Sequence, residues 1–386
     1  RTLTLPAVIA ISIGGMLGSG IFVLPGIAAA KTGASIWLAY LIAALLIIPA
    51  ALSKSELATA MPKSGGAYVF IERAFGPLFG TISGLGLWMS LLLKSSFALV
   101  GLGAYFIIIS NITTVPIEYF SIFFLAFIIL INILGVKKVG KAQIIIVTLS
   151  LLGLFSLLFI GLPHISQDNL DPFLLNGEYG LISTVAFVYI SYAGVTKVAA
   201  IAGEVKNPSK NLPKAMLFSL ALISSIYIVI SYVLVGNISI ESLATDYKPL
   251  YTLALVTGGK SFAFAIAVIG VITLISMANS GVLATSRFPF AMAMDKLLPS
   301  RLAKVHSKYL TPVNTILLTG FFMVIVILTL DVVKIVKLAS AFKVFMFISV
   351  NMSVIILRET SVQWYKPTYK SPLYPYMQIF GIISGV

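Results

Sequence analysis

The sequence predicts an all-α bundle built to lie in a lipid bilayer, and three observations predict it. Of its 386 residues, 59% are hydrophobic and 10% charged, and the mean hydropathy of +1.07 is far above that of a water-soluble domain. Apolar runs of about 20 residues, enough for a helix to cross a hydrocarbon core of about 30 Å, recur along the whole chain. Lys and Arg gather in alternate connections between those runs, which is the charge pattern of a multi-pass membrane protein.

Ten complete spans and the start of an eleventh are expected, at residues 5–30, 35–52, 76–109, 119–136, 142–162, 181–202, 215–235, 262–293, 315–330, 332–357 and 376 onward. The basic connections hold Lys54, Lys63 and Arg73; Lys137, Lys138 and Lys141; Lys206, Lys210 and Lys214; Arg287, Lys296, Arg301, Lys304 and Lys308; and Arg358, Lys366 and Lys370. The intervening connections, at 111–118 and 164–178, carry Asp168, Asp171 and Glu178 instead. The positive-inside rule therefore places the basic loops and the amino terminus in the cytoplasm.

The net charge of +14 is explained by these loops, so it calls for no nucleic-acid partner. With no cysteine, there is no disulfide framework, thiolate metal site or thiol nucleophile. His164 and His306 lie in polar connections on opposite predicted sides, so no catalytic or metal cluster forms around them and no enzyme is expected. No GxxxxGK[ST] loop is present, which argues against ATP-driven pumping. Arg1 is not Met and Val386 falls inside an apolar run; both ends are expected to be truncated, with no cleavable signal peptide.

The first span contains Gly14, Gly15, Gly18 and Gly20 around Met16-Leu17-Gly18-Ser19-Gly20-Ile21-Phe22. Each glycine costs on the order of 1 kcal/mol inside a continuous helix. Small residues at a four-residue spacing also serve close helix packing. A second candidate interruption, Ser191-Tyr192-Ala193-Gly194, lies in the sixth span, and paired interruptions in two halves of a membrane protein point to a substrate site. An unwound turn offers amide N–H groups to a carboxylate and carbonyl oxygens to an ammonium or metal cation.

These residues resemble the amino acid–polyamine–organocation (APC) superfamily over essentially the whole chain. Gly18-Ser19-Gly20-Ile21-Phe22 with Pro25 is similar to the family's first-span motif. Glu56-Leu57, Pro62, Gly65-Gly66 and Tyr68 resemble the stretch after its second span, and Trp88-Met89-Ser90 its third. Asn132, Gly135 and Lys138 match the junction of the fourth and fifth spans. Tyr192-Ala193-Gly194 leading to Glu204-Val205-Lys206-Asn207-Pro208 and Pro213 matches the sixth-span signature, and Asp295, Leu298 and Pro299 the loop after the eighth.

The resemblance implies one transporter domain over 1–386 with the leucine-transporter fold: inverted five-helix repeats at about 1–163 and 178–358, an eleventh helix starting at about 374–386, and about 12 helices in a full protein. It implies an amino acid permease of the cell membrane, a symporter or antiporter working by alternating access. By that resemblance the substrate carboxylate meets the amides of Gly18, Ser19 and Gly20 and the Ser19 hydroxyl. Its ammonium meets the carbonyls of Met16, Ile190 and Ala193, Tyr192 is an aromatic gate, and Gly281 leaves room for a bulky or apolar side chain. No cofactor is implied beyond a coupling H+ or Na+, and the oligomeric state is left open.

Lys94, Lys197 and Lys343 fall within apolar runs, where each costs about 2.5–3.5 kcal/mol on insertion scales. Snorkelling toward an interface or vestibule is the ordinary explanation, favoured for Lys343; Lys94, in the stretch expected to line a central cavity, is the strongest candidate for proton coupling. Some proton-coupled relatives carry a fifth-span lysine where this chain has Ser150. Thr273 and Ser276 offer hydroxyls to a sodium ion, although hydroxyls in membrane helices more often bond to the preceding turn. Thr196 replaces a residue that is acidic in some arginine-handling relatives, which argues against arginine or polyamine. An organic anion or acidic amino acid, with Lys94 or Lys197 as counter-charge, is the competing substrate class, and sensing without transport the competing role.

Overall fold

The computed structural model describes residues 3–61, 67–135 and 139–385. Pro62, Gly65, Gly66 and Lys138, quoted for the resemblance, lie outside them, as do Lys63 and Lys137 of the basic connections. Among the described residues the chain is almost entirely helical, with eight helical stretches long and apolar enough to cross a membrane and two shorter apolar helices. A single parallel bridge, Leu3 to Val205, is the extended pairing seen.

The first expected span is three pieces: α1 (Leu5–Met16), α2 (Ser19–Phe22) and α3 (Leu24–Thr32). Then come α4 (Ile36–Ala60), α5 (Ala67–Phe75), α6 (Pro77–Ser110), α7 (Ile117–Leu134) and α8 (Val139–Gly161). The sixth span starts as α9 (Gly177–Val188) and continues as a 3-10 helix, Tyr189–Glu204. It is followed by α10 (Pro208–Asn237), α11 (Ile240–Leu243), α12 (Pro249–Met294), α13 (Val313–Thr329), α14 (Val332–Glu359) and α15 (Tyr376–Ile383).

Proline stands in the first turn of α1, α6, α10 and α12, where its missing N–H would have had no intrahelical partner. Asp331 caps α14 by accepting from the Lys334 amide at 2.8 Å. Within α12, Gly259 has φ of 76°, a conformation open to glycine, so the stretch is two helices meeting at that residue. The piece before Gly259 was not among the expected spans.

Two expectations about loops are corrected. α4 runs to Ala60 instead of ending near Leu52, so Lys54 and Glu56 belong to a membrane-length helix and are buried. α12 ends at Met294, as the span to 293 predicts, so Arg287 belongs to the helix and not to the basic connection it was grouped with. Apolar neighbours continue the helical pattern of α4 past Lys54, and Lys54 and Glu56 find partners inside, whereas Arg287 stays exposed on α12.

α6 threads the middle of the bundle, against α12, α14, α7, α5 and α13, while α1 packs on the 3-10 segment, α10 and α8. Packing in lipid gains little from the hydrophobic effect between helices, so close approach and interhelical hydrogen bonds carry it. Trp88 on α6 donates to Thr319 on α13 at 3.2 Å, and Asn132 on α7 donates to Asn279 on α12 at 2.8 Å. Tyr68 donates to Asp295 at 3.0 Å, joining α5 to the end of α12.

Candidate functional site

The first span breaks where its glycines are. After Met16, Leu17 turns to ψ of 134° and Gly18 adopts φ of 138°, ψ of −132°, before α2 restarts the helix; a second irregularity at Val23 (φ −125°, ψ −48°) separates α2 from α3. An L side chain rarely takes the Gly18 conformation, and a Cβ there would fall 2.1 Å from the Met277 sulfur.

These interruptions free carbonyl oxygens that a continuous helix would tie to its next turn, and in a membrane each unsatisfied group costs several kcal/mol. Four are capped by side chains from other elements. Lys94 Nζ lies 3.3 Å from Gly15 O, and the Tyr227 hydroxyl donates to Met16 O at 2.7 Å. The Tyr40 hydroxyl donates to Gly20 O at 2.8 Å and the Tyr105 hydroxyl to Phe22 O at 2.8 Å. Sequence reasoning passed over these three tyrosines, because a buried Tyr in an apolar run reads as core.

The sixth-span interruption, expected at Ser191–Gly194, falls inside the 16-residue 3-10 segment. Such a length is unusual for the tighter helix, which marks strained or hinge-like sequence. The two interrupted spans lie against each other. A Cβ on Gly194 would sit 2.0 Å from the Gly15 carbonyl carbon, and one on Gly20 would sit 2.8 Å from Ser191 Cβ. Where the first span begins and the sixth ends, the Lys206 amide donates to Leu3 O at 2.9 Å. Tyr192, the expected gate, is fully buried and donates to Tyr40 O at 3.0 Å; its ring packs with those of Tyr40 and Tyr227 at centroid separations of 6.2 and 5.4 Å.

The positions expected to hold substrate are filled by the protein's own side chains in this conformation. Ser19 N–H and Oγ lie 3.3 and 3.7 Å from the Met277 sulfur, on the carboxylate side. On the ammonium side, Ile190 O accepts from Lys94 Nζ at 3.1 Å, while Met16 O is held by Tyr227. Ala193 lies buried in the same segment. Gly281 faces α6 so closely that a Cβ would fall 2.1 Å from Ser95 Oγ, and that side chain fills the room a glycine leaves.

The ion-coupling candidates divide into two groups. Ser150 and Thr273 meet at 2.6 Å between α8 and α12, and each also lies 2.7 Å from the carbonyl one turn back, Ile146 O and Ile269 O. Each hydroxyl is thus engaged with its partner and with its own helix, which joins α8 to α12. Ser276 donates to Gln143 Oε1 at 2.7 Å, and the Gln143 amide abuts Gly14. The second group is cationic. Lys94, Lys343 and Lys54 are each 3% exposed; Lys54 and Lys343 lie 5.3 and 4.9 Å from the centroid of the Phe347 ring. That ring meets Tyr189, which opens the 3-10 segment, at 5.6 Å. Lys197 runs past Gly15, its Cδ 3.1 Å from where a Cβ would stand. Among the described residues no carboxylate pairs with any of the four.

Glu56 is held elsewhere. It accepts from Arg358 Nε and Nη2 at 2.8 and 2.6 Å, from Tyr365 at 2.8 Å, and from the Ser371 amide and hydroxyl at 2.7 Å each. This knot ties the end of α4 to the end of α14 and the segment after it.

Comparison with known proteins agrees with this architecture. The amino acid permease family model matches residues 7–386. The chain is 30% identical over 371 residues to the branched-chain amino acid permease BcaP of Bacillus subtilis (strain 168), covering 90% of this chain and 79% of that protein. It is 27% identical to the methylthioribose transporter of the same organism, covering 99% of this chain and 86% of that protein. It is 28% identical to the serine/threonine exchanger SteT, again from that organism, with 97% and 86% covered. A multi-pass helical membrane chain matched over nearly its whole length by this family model belongs to the amino acid permease family of the APC superfamily.

Proposed function

We propose that the chain is a secondary transporter of zwitterionic amino acids that works by alternating access around the two interrupted spans. The observation that carries this reading is their juxtaposition: the Gly18 break and the 3-10 segment lie backbone against backbone at Gly15 and Gly194. The substrate carboxylate takes the place of the Met277 sulfur at Ser19 N–H and Oγ, with Gly18 and Gly20 amides beside it. The ammonium takes the carbonyls of Ile190, Met16 and Ala193, and Tyr192 leaves the tyrosine trio as the site opens. Family members of this kind are permeases rather than enzymes.

Named activities of relatives support the neutral class: one is a branched-chain amino acid permease and another a serine/threonine exchanger. The inverted repeats at about 1–163 and 178–358, the cytoplasmic amino terminus and residence in the cell membrane belong to the same proposal, supported by the paired interruptions and by the basic loops. The energy source is a gradient of H+ or Na+, or of a second substrate.

The test is uptake of labelled leucine, isoleucine, valine, serine and threonine into proteoliposomes, with Ser19→Leu as control. Concentrative uptake lost in the control is the expected result. Binding without flux makes the protein a sensor, and no binding of any amino acid overturns the proposal. One observation favours a second reading, transport of an acidic amino acid or organic anion: the four interior lysines with no carboxylate partner among the described residues. Glutamate and a 2-oxo acid therefore belong in the panel.

A further inference from the structure

We infer that Lys94 is a resident occupant of the ammonium subsite, so that each amino acid entering the site displaces one proton from the protein, and transport exchanges substrate for H+. The inference rests on the site proposed above and names its coupling.

The geometry is specific. A lysine from α6 reaches across to the broken first span and to the 3-10 segment at once, 3.3 Å from Gly15 O and 3.1 Å from Ile190 O. The second of these is a carbonyl assigned above to the substrate's amine. A substrate ammonium on Ile190 O would stand within a few ångströms of Lys94 Nζ, inside a site where both are desolvated. Among the described side chains nothing nearby offsets two positive charges. The 3-10 segment contributes Lys197, Tyr189 and Tyr192, and α14 contributes Lys343. Lys197 and Lys343 both lie within electrostatic reach of Lys94. α1 and α13 have no ionisable side chain. α5 and α7 have theirs away from this level, at Tyr68, Glu72, Arg73, Glu118 and Tyr119, and on α12 Lys260 and Arg287 lie toward opposite ends. Glu56 is bound by five donor contacts of its own.

The balance is simple. Lys94 as –NH3+ loses H+ to the aqueous phase on the side from which substrate enters, becoming –NH2. The zwitterion brings its own ammonium to the carbonyl oxygens and its carboxylate to Ser19. When substrate leaves on the other side, Lys94 takes up H+ from that side. One net-neutral substrate moves one way and one proton the other, so an acidic lumen drives uptake into vesicles. A proton symporter has the opposite sign.

The experiment uses purified protein in sodium-free, weakly buffered solution, and proteoliposomes made from it. Leucine, isoleucine, valine, serine and threonine are the amine-bearing probes; 4-methyl-2-oxopentanoate is the leucine analogue without the amine. The expected results are release of about one proton per amino acid bound, none for the oxo acid, and an amino acid Kd that falls up to tenfold per pH unit rise. Uptake is faster with an acidic lumen than with an acidic exterior. Lys94→Met still binds but loses both the release and the pH slope, whereas Lys94→Arg, a permanent cation, loses amino acid binding. If either variant fails to fold, the wild-type proton count and gradient sign decide alone. Amino acid binding without proton release, or uptake driven by an acidic exterior, overturns the inference and leaves the transport proposal standing; absence of any amino acid binding overturns the transport proposal itself.

Discussion

Two sets of charges are buried in this bundle, and they are treated in opposite ways. At the end of α4, Glu56 is 0% exposed and surrounded by donors: a bidentate arginine, a tyrosine hydroxyl, and the amide and hydroxyl of Ser371. At the centre, Lys94 leans on two backbone oxygens, while Lys54 and Lys343 have only the Phe347 ring as a described partner. A carboxylate whose lone pairs are all taken, by groups from α14 and the segment after it, is a fastener. A lysine resting on carbonyl groups that a substrate amine would also choose is exchangeable. The difference teaches where this fold is built to stay closed and where it is built to change partners.

The largest effect expected from breaking that contrast is at the fastener. Removing one member of a buried, hydrogen-bonded ion pair costs about 3–5 kcal/mol, because the other charge is stranded. Glu56→Ala therefore lowers the thermal unfolding midpoint of the detergent-solubilised protein sharply and reduces the folded yield. Adding Arg358→Met to it recovers part of the loss. A Glu56→Ala protein as stable as wild type would remove the contrast altogether.

Next in size is the contact that makes the central region a site at all. Gly194→Ala puts a methyl 2.0 Å from the Gly15 carbonyl carbon. Overpacking against a group that can yield costs about 1–3 kcal/mol, and backbone yields less than a side chain. The expected outcome is folded protein with uptake abolished, because the two spans can no longer close on each other. Gly76→Ala, at a glycine with nothing within 4 Å of its missing Cβ but with φ of 88°, is the comparison that separates backbone strain from steric contact: it costs stability and leaves substrate affinity unchanged.

How much of this was legible in the sequence follows from the same contrast. Hydropathy runs and loop charges find helices, because both are local, and the helical bundle follows from them. Gly14 to Gly20 and Ser191 to Gly194 announced the interruptions by composition alone. The partners of those interruptions were not legible. Tyr40, Tyr105 and Tyr227 come from α4, α6 and α10, and their hydroxyls matter only because a carbonyl from another helix lies opposite. Met277 reads as one more apolar residue of α12 until its sulfur is found beside Ser19. Lys94 stood out because a lysine in an apolar run is costly wherever it points, yet the run could not say that it spans both breaks. Lys54 and Glu56 read as loop residues in the sequence, since charge close to a span's end ordinarily marks the interface.

A smaller effect is expected at the caps on the broken span. Tyr227→Phe leaves Met16 O without its 2.7 Å donor, at a cost of about 1–3 kcal/mol for a stranded buried acceptor. If Met16 O receives the substrate ammonium, the variant loses stability when empty and recovers it on binding. The midpoint shift produced by saturating substrate is then larger in Tyr227→Phe than in wild type. An equal shift in the two proteins would mean that this carbonyl stays out of recognition.

The smallest effect concerns the Ser150–Thr273 pair, which is neither fastener nor exchangeable charge. Its hydroxyls are 2.6 Å apart and each has a carbonyl within 2.7 Å. Interhelical hydrogen bonds of this kind average about 0.6 kcal/mol in membranes, since the separated helices find other partners. Thr273→Val keeps the shape and removes one hydroxyl, so the unfolding midpoint falls by a few degrees at most. The informative readout is sodium. If the pair only joins α8 to α12, uptake in Thr273→Val responds to a sodium gradient as wild type does. If Thr273 ligates a coupling ion, sodium stimulation present in wild type disappears in the variant while affinity in sodium-free buffer is unchanged. The first outcome is the one the geometry supports, because each hydroxyl is already engaged with the other and with the carbonyl one turn back on its own helix.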